Sequence, residues 1–453
     1  MHVAKINPNS HLFFQTGATT VSETNNSSSG SRRSFLKKSS MGAAAVASAA
    51  TLNMGKFAHA AGTRETVRIG LIGCGGRGSG AIQNALNASP QNEVVGLCDM
   101  FEDRLNFCRK TLEAKKKDQT KVTDDTCFLG FDGYKKLLDT DVDVILLCTP
   151  PYFRPMQLKA AIEAGKHVFC EKPVAVDAPG VRSVLETTEL AKKKGLSIVS
   201  GLCWRYDYMV KDLVGKIMDG YIGDITAIQE NYLTGLLWQK NREKDWTEMH
   251  YQLKNWLYFH WLSGDHIAEQ HIHSLDKAMW LMGDTPPMKA YGCGGRQTRT
   301  DARFGNVYDH FAVCYEWANG VKTFAYCRQQ GGKIFRETDD HVYGTNGRAK
   351  ILGNQIIMND KVAYKYEGER PNMYDVEHVA LFDGIRNDKP INNGVYMSYS
   401  TLMAILGREV CYTGQQITWD QMMKSENKLG PDKLEFGDIP VPEVAMPGQT
   451  KFK

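Results

Sequence analysis

Val67-Arg68-Ile69-Gly70-Leu71-Ile72-Gly73-Cys74-Gly75-Gly76-Arg77-Gly78 is a short apolar run that opens straight into Gly-x-Gly-x-x-Gly, and its reading decides the fold. The pattern predicts a strand turning into a helix around a pyrophosphate. Gly73 permits the tight turn, Gly75 lets backbone amides approach the phosphates, and Gly78 lets helix and strand pack closely, with the helix N-terminus facing the anion. Gly76 and Arg77, inside the same loop, belong to this expected cofactor site. A second apolar run, Val94-Val95-Gly96-Leu97-Cys98-Asp99, ends in an acid about 20 residues beyond the glycines, where a carboxylate bonds the ribose hydroxyls of an adenosine. Asp99 favours NAD; Arg104, a turn further on, leaves NADP open, since an arginine accepts a 2′-phosphate.

Outward from this loop, apolar strand runs alternate with amphipathic helical stretches as far as about Cys203. Val142–Cys148, Lys166–Cys170 and Ser197–Leu202 read as strands, and Arg154–Ala164 and Pro179–Lys194 as helices. The alternation predicts an α/β fold with a doubly wound parallel sheet over residues 65–203. Ligands of such sheets lie beyond the carboxyl ends of the strands, where Thr149-Pro150 and Glu171-Lys172 fall. From 204 to about 425 the rhythm changes to longer alternating runs, among them Thr226–Tyr232, Asp309–Trp317, Val321–Arg328, Asp340–Gly344 and Ala349–Leu352. Helices are expected near Trp256–Met282 and over Val376–Arg386 and Val395–Thr413. This is the pattern of an α+β domain with a large, mostly antiparallel open-faced sheet. Residues 426–453, rich in Pro, Gly and charge, read as an extended arm.

The N-terminus predicts the compartment. Ser31-Arg32-Arg33-Ser34-Phe35-Leu36-Lys37-Lys38, the mildly apolar Met41–Leu52 and Phe57-Ala58-His59-Ala60 form, in order, a twin arginine, a short h-region and an Ala-x-Ala site, with cleavage expected after Ala60. The apolar run is far short of the roughly 20 residues that span a bilayer. No cysteine lies near the cleavage site, so no stable membrane anchor is expected. The route implied is the twin-arginine export machinery, which carries folded proteins, and the destination is periplasmic. An enzyme there has no free nicotinamide pool to draw on, so its cofactor should be tightly bound. Eleven cysteines, an odd number with several inside strand-like runs, read as buried free thiols. With 55 Lys and Arg against 51 Asp and Glu, interspersed and without a basic block, nucleic acid is an improbable partner.

The run Ala160-Ala161-Ile162-Glu163-Ala164-Gly165-Lys166-His167-Val168-Phe169-Cys170-Glu171-Lys172-Pro173 resembles the glucose-fructose oxidoreductase and inositol dehydrogenase family, Gfo/Idh/MocA. The likeness continues through Thr149-Pro150, Arg205-Tyr206, Asp219-Gly220-Tyr221-Ile222-Gly223, Gly344-Thr345-Asn346-Gly347, Ser400-Thr401-Leu402, Gly407-Arg408 and Thr418-Trp419-Asp420. The resemblance implies a Rossmann domain, a C-terminal α/β domain that often builds oligomers (here a homodimer or homotetramer), and hydride exchange between a nicotinamide and a sugar or cyclitol carbinol. It places the family's lysine at Lys172 and its Asp-x-x-x-His pair at Glu269 and His273, with glutamate where aspartate is usual. Phe153 and Arg154 stand where a histidine is common.

Oxidising an alcohol requires a base for the hydroxyl proton, and histidine suits the task because its pKa lies near working pH. Helical spacing through Ser263-Gly264-Asp265-His266-Ile267-Ala268-Glu269-Gln270-His271-Ile272-His273 puts His266, Glu269 and His273 on one face, with His271 pointing elsewhere. The assignment that follows is His273 as acid and base, Glu269 as its orienter or a partner for a sugar hydroxyl, and Lys172 as the cation polarising the oxygen or the proton carrier itself. No His-Glu-x-x-His or Cys-x-x-Cys spacing appears, and no metal is expected. Between Leu236 and Trp261, Trp238, Trp246, Tyr251, Trp256, Tyr258 and Trp261 stand among amides and charges, as suits stacking on a pyranose. About half of these six should belong to the core. Trp238, Trp261, Arg205, Tyr206 and His271 are the expected substrate contacts.

The leading expectation is an NAD(P)-dependent oxidoreductase acting on a secondary hydroxyl of a sugar or glycoside, with C3 oxidation to a 3-keto sugar as one form. The resemblance also reaches the NAD-dependent glycosidases of glycoside hydrolase family 109, in which transient C3 oxidation permits elimination. That chemistry needs a further base near C2, for which His271 or Tyr206 is available. A sugar-binding subunit without turnover is the third reading.

Overall fold

The computed structural model describes residues 66–453. The twin-arginine segment and the cleavage site after Ala60 lie outside the described residues. Strand β1 (Val67–Ile72) leads through the glycine loop into α1 (Gly76–Asn87), followed by β2 (Asn92–Asp99), α2 (Glu102–Lys115), β3 (Cys127–Leu129), α3 (Gly133–Leu138), β4 (Val144–Leu147), α4 (Arg154–Glu163), β5 (His167–Cys170), α5 (Ala178–Lys194) and β6 (Ile198–Ser200). The six strands form one sheet in the order β3-β2-β1-β4-β5-β6, and every pairing is parallel. A parallel sheet covered on both faces needs continuously apolar strands, and Val144-Ile145-Leu146-Leu147 is buried at every position.

The second half starts with α6 (Tyr208–Met218) and β7 (Ile225–Thr234). Four short helices follow: α7 (Glu248–Lys254), α8 (His260–Ser263), α9 (His266–Glu269) and α10 (Ile272–Leu281). Strands β8 (Lys289–Gly295), β9 (His310–Glu316), β10 (Lys322–Gln329), β11 (Glu337–Gly344), β12 (Arg348–Lys350), β13 (Gln355–Met358) and β14 (Lys361–Tyr364), helices α11 (Met373–Arg386) and α12 (Gly394–Thr413), and β15 (Ile417–Thr418) complete it. The nine strands run β14-β13-β12-β11-β7-β10-β9-β8-β15. Only β7 and β10 pair in parallel; the other pairs are antiparallel.

One hydrophobic core runs from Val168 and Ile198 through Leu402 and Leu406 of α12 to Val313 and Ala325 of the large sheet. Alternation shows plainly on β10, where Thr323, Ala325 and Cys327 are buried and the intervening Phe324 and Tyr326 are exposed. The chain also returns to the first sheet: Asn84 of α1 donates to Asp375 of α11 at 2.8 Å. Residues 426–453 contain no helix or strand, yet they are docked, with Met249 N donating to Gly437 O at 3.1 Å. All eleven cysteines are free thiols and eight are buried.

The single helical face expected for His266, Glu269 and His273 does not form. Asp265 has φ +68° and caps α9, which ends after four residues. A new helix begins at Ile272. Asp265 accepts from His266 N at 2.6 Å, Tyr308 N at 2.7 Å and the Tyr412 hydroxyl at 2.6 Å. The break falls at Gln270 and His271, beyond the helix whose start Asp265 caps, and His266 turns inward onto that buried carboxylate, with Nδ1 2.9 Å from Asp265 Oδ1.

Candidate active site

The carboxyl ends of β1, β2 and β4 open into a cleft of about 850 Å³, at the place where strand order reverses between β1 and β4. Gly73 has φ +98°, and a Cβ there would stand 2.6 Å from the Cys148 carbonyl carbon. A Cβ on Gly78 would stand 1.7 Å from the Gly73 carbonyl oxygen. Both glycines are therefore demanded by backbone contact. Gly75 and Gly76 differ: they line the cleft, and a Cβ would meet only Arg104 Nη1, at 3.8 Å, in the first case and nothing within 4 Å in the second. Helix α1 starts there with no side-chain cap and no acid in its first turn. Its orphan N–H groups and the positive end of its dipole are left for an anion. This open cradle fits the pyrophosphate of a dinucleotide.

Asp99, Arg104, Thr149 and Pro150 line the same cleft. The buried Asp99 carboxylate accepts from Cys74 N at 2.6 Å and Phe101 N at 2.9 Å, which ties the end of β2 to the glycine loop. Burial raises its pKa, against the opposing pull of those two amides and of Arg104. Thr149 Oγ1 donates to Gln157 Oε1 at 2.6 Å. Arg77 lines the cleft too, but its guanidinium is engaged by Glu171, stands 3.3 Å from Glu377 and lies 4.6 Å over the Tyr374 ring. Glu171 is not part of the wall; it is buried behind Arg77. Burial alone would raise its carboxyl, but Arg77, Lys172 and Arg154 outweigh that and hold it below the usual range. Arg154, where a histidine is common, donates to the Pro173 carbonyl at 2.5 Å, beside the cis Lys172–Pro173 peptide bond.

Glu269 and Gln270 belong to the cleft wall on the second-half side. Lys172 Nζ donates to the Glu269 backbone carbonyl and stands 3.3 Å from Glu269 Oε1. Glu269 thus holds Lys172; among the described residues no hydrogen bond or ion pair joins it to His273. His273 is half-buried at the start of α10, its Nδ1 buried without a partner and its carbonyl accepting from Lys277 Nζ at 2.9 Å. Burial, then the Lys172, Lys277 and Arg77 charges, press its imidazole well below the ordinary pKa. Lys172 and His273 are not themselves cleft-lining; Lys172 is bonded to Glu269, which is.

The expected substrate wall is only partly at the cleft. Trp238 lines it, as do Trp246 and Trp256. Trp261, Tyr251 and Tyr258 are buried, and Trp261 Nε1 donates to Gln252 at 2.6 Å. Arg205 is taken up by Asp276, at 2.9 to 3.1 Å, and by Asp284 at 2.6 Å, with the Tyr396 ring 3.9 Å away. Tyr206 donates its hydroxyl to Asn393 at 3.0 Å. His271 is fully buried 3.8 Å from Glu230, both ring nitrogens without a hydrogen-bond partner. Trp261, Arg205, Tyr206 and His271 are held away from the cleft by hydrogen bonds, ion pairs and burial, which sequence spacing does not reveal. Gln270 and Lys254 are among the cleft residues that went unforeseen. Gln270 follows Glu269 directly and accepts from Gln329 at 2.6 Å. Lys254 lies four residues after His250 on α7, a helical spacing that was there to be read.

Residues 67–201 match the oxidoreductase family's NAD-binding Rossmann fold and residues 214–405 its C-terminal alpha/beta domain. A glycosyl hydrolase family 109 protein of Phocaeicola vulgatus is 29% identical over 197 residues, 42% of this chain and 34% of its own length. The chain thus matches about a third of that curated relative. Among solved structures, the aldose-aldose oxidoreductase from Caulobacter crescentus superposes with a TM-score of 0.62 at 17% identity, over 78% of this chain and 99% of its own. The scyllo-inositol dehydrogenase from Lactobacillus casei with bound NAD(H) and scyllo-inositol gives 0.59 at 17% identity, over 78% and 99%. At that identity the likeness is one of fold.

Proposed function

The chain belongs to the Gfo/Idh/MocA family of NAD-binding oxidoreductases, and from that premise we propose that it oxidises a secondary hydroxyl of a sugar or glycoside, with the dinucleotide retained between half-reactions. The observation that carries the reading is the meeting of Lys172 with Glu269 at the wall of the glycine-loop cleft, with His273 in the first turn of the next helix, α10. A bound dinucleotide supplies the hydride acceptor. The substrate carbon gives up a hydride and its oxygen a proton. His273, neutral because burial and three cations disfavour its charged form, accepts that proton at Nε2, since Nδ1 is enclosed. The Lys172 ammonium stabilises the developing alkoxide, and Glu269 fixes the lysine in place. A carbonyl compound bound next takes back hydride and proton and restores the resting state. Export by the twin-arginine route and assembly into a homodimer or homotetramer belong to the same reading; exposed Tyr291, Phe324, Tyr326 and Tyr343 on the large sheet support the latter.

The test is to purify the protein without added cofactor, record nicotinamide absorbance while adding a panel of glycosides, and identify products by carbon NMR. Reduction of bound cofactor with a new ketone carbon is the expected result, and the ketone's position names the carbon oxidised. Free sugar without net reduction would instead identify the redox-assisted glycosidase. That chemistry calls for a second base, and His271 and Tyr206 are enclosed elsewhere.

A further inference from the structure

The tryptophans between Leu236 and Trp261 were read as a sugar platform, but Trp246 makes its contacts at the other end of the cleft. Lys254 Nζ bonds both carboxylate oxygens of Asp103, at 2.8 and 2.9 Å, and lies 4.0 Å above the Phe101 ring. Trp246 stands beside it, 6.0 Å from that ammonium, and stacks on His250 at 4.7 Å between centroids. His250 in turn packs 5.0 Å from Phe101. Phe101 and Asp103 follow Asp99 at the end of β2, where a Rossmann fold receives the adenosine. Among the described residues no hydrogen bond or ion pair joins Trp246 or Lys254 to Lys172, Glu269 or His273.

The C-terminal arm fixes this arrangement from outside. Phe436 packs against Phe101, Phe131 and His250, with centroids 6.2, 5.4 and 5.5 Å apart. Gly437 O accepts from Met249 N at 3.1 Å. The second half of the chain is thereby bolted across the mouth of the first. Phe101, Arg104, Trp246 and Lys254 all line the cleft, offering flat aromatic faces and cations, the chemistry that holds an adenine ring and its phosphates.

We propose that Trp246 and Lys254, latched to Phe101 and Asp103, form a clamp over the adenosine half of the dinucleotide, so that this segment retains the cofactor and does not recognise the sugar. The clamp rests on the reading of the cleft as a dinucleotide site. It gives a physical means for the cofactor to stay bound through repeated half-reactions. Release requires the Lys254–Asp103 latch to part.

ADP-ribose is the probe, because it carries the adenosine half without the nicotinamide. Its affinity for the full chain is measured by calorimetry, and the dissociation rate of bound NAD by stopped-flow displacement. Asp103→Asn removes the latch at a side chain 69% exposed, so the fold is kept; Trp246→Ala removes the stacking face and Trp246→Phe restores one. Expected are a roughly tenfold weaker ADP-ribose affinity and a similarly faster NAD release for the first two variants, with near-normal values for Trp246→Phe and an unchanged sugar KM. Wild-type affinity and release in the variants, with a raised sugar KM, would overturn the clamp and return the segment to the sugar. If the unaltered protein binds neither ADP-ribose nor NAD, the dinucleotide reading falls and the clamp with it.

Discussion

Between Gly73 and Gly78 the chemistry is carried by the backbone, whereas between Ser263 and His273 it is carried by side chains whose directions depend on where a helix breaks. Both segments are dense in signal. In the first, Gly73 answers a positive φ and Gly78 a close approach to the loop's own backbone, while Gly75 and Gly76 leave space for a ligand. In the second, the helix breaks between Glu269 and Ile272, His266 turns onto a buried aspartate that also gathers bonds from Tyr308 and Tyr412, and His271 and His273 take other directions. Backbone motifs carry their geometry in the sequence; side-chain constellations take theirs from the packing around them.

The sharpest way to break that comparison is Gly78→Ala. Its Cβ would meet the Gly73 carbonyl at 1.7 Å, and overpacking of this kind costs about 1–3 kcal/mol or more. Purified Gly78→Ala should carry no dinucleotide, while Gly76→Ala, with open space around it, should melt at the wild-type temperature. A Gly78→Ala protein that retains cofactor would show that the loop is not constrained as described.

Next in size is His273→Gln. Loss of a general base lowers kcat by about 10²–10⁴-fold, and bound dinucleotide should be unaffected. Because the His273 pKa is depressed by burial and neighbouring cations, the acid limb of kcat/KM should fall below pH 6.5; a limb at or above that value would move the proton-accepting role away from His273.

Arg205→Leu tests a residue expected at the substrate and found in the interior. Breaking its buried pairing with Asp276 should cost about 3–5 kcal/mol in urea unfolding, with sugar KM unchanged in the folded fraction. A raised KM without loss of stability would put the arginine back at the substrate.

The smallest effects concern His271 and His378, both fully buried. Burial lowers them to about 3 and about 4, although the Tyr374 carbonyl partly opposes it at His378. In the unfolded chain each protonates near pH 6.5, so stability is full above that value. It is lost as pH falls toward 4, at about 1.4 kcal/mol per pH unit for each histidine. The urea midpoint should drop between pH 7 and pH 5. His271→Leu should flatten that slope and leave kcat within about twofold, since the ring makes no hydrogen bond that is lost. A large fall in kcat would restore His271 to the chemistry.

Strands β1, β2, β4, β5 and β6 of the parallel sheet were legible because they are largely apolar and alternate with helices, and β7 and β9 to β12 of the large sheet by their two-residue period, as on β10; the short β3 and β13 to β15, and β8, were not named. What the periodicities could not supply was partnership across the chain. Arg205 has its acids 71 and 79 residues away, and Lys254 reaches Asp103 across 151 residues.

By itself the sequence determined the glycine cradle, the acid that closes β2, the order of strands and helices and the lysine after β5, because each depends on local backbone geometry or on a short-range hydrophobic period. The tertiary structure alone decided that His266 and His271 turn into the interior, that Glu269 pairs with Lys172, and that Trp246 and Lys254 sit at the end of β2 under the C-terminal arm. Those outcomes depend on buried charge pairing and on contacts between residues far apart in the chain, where the cost of an unpaired buried group outweighs any local preference.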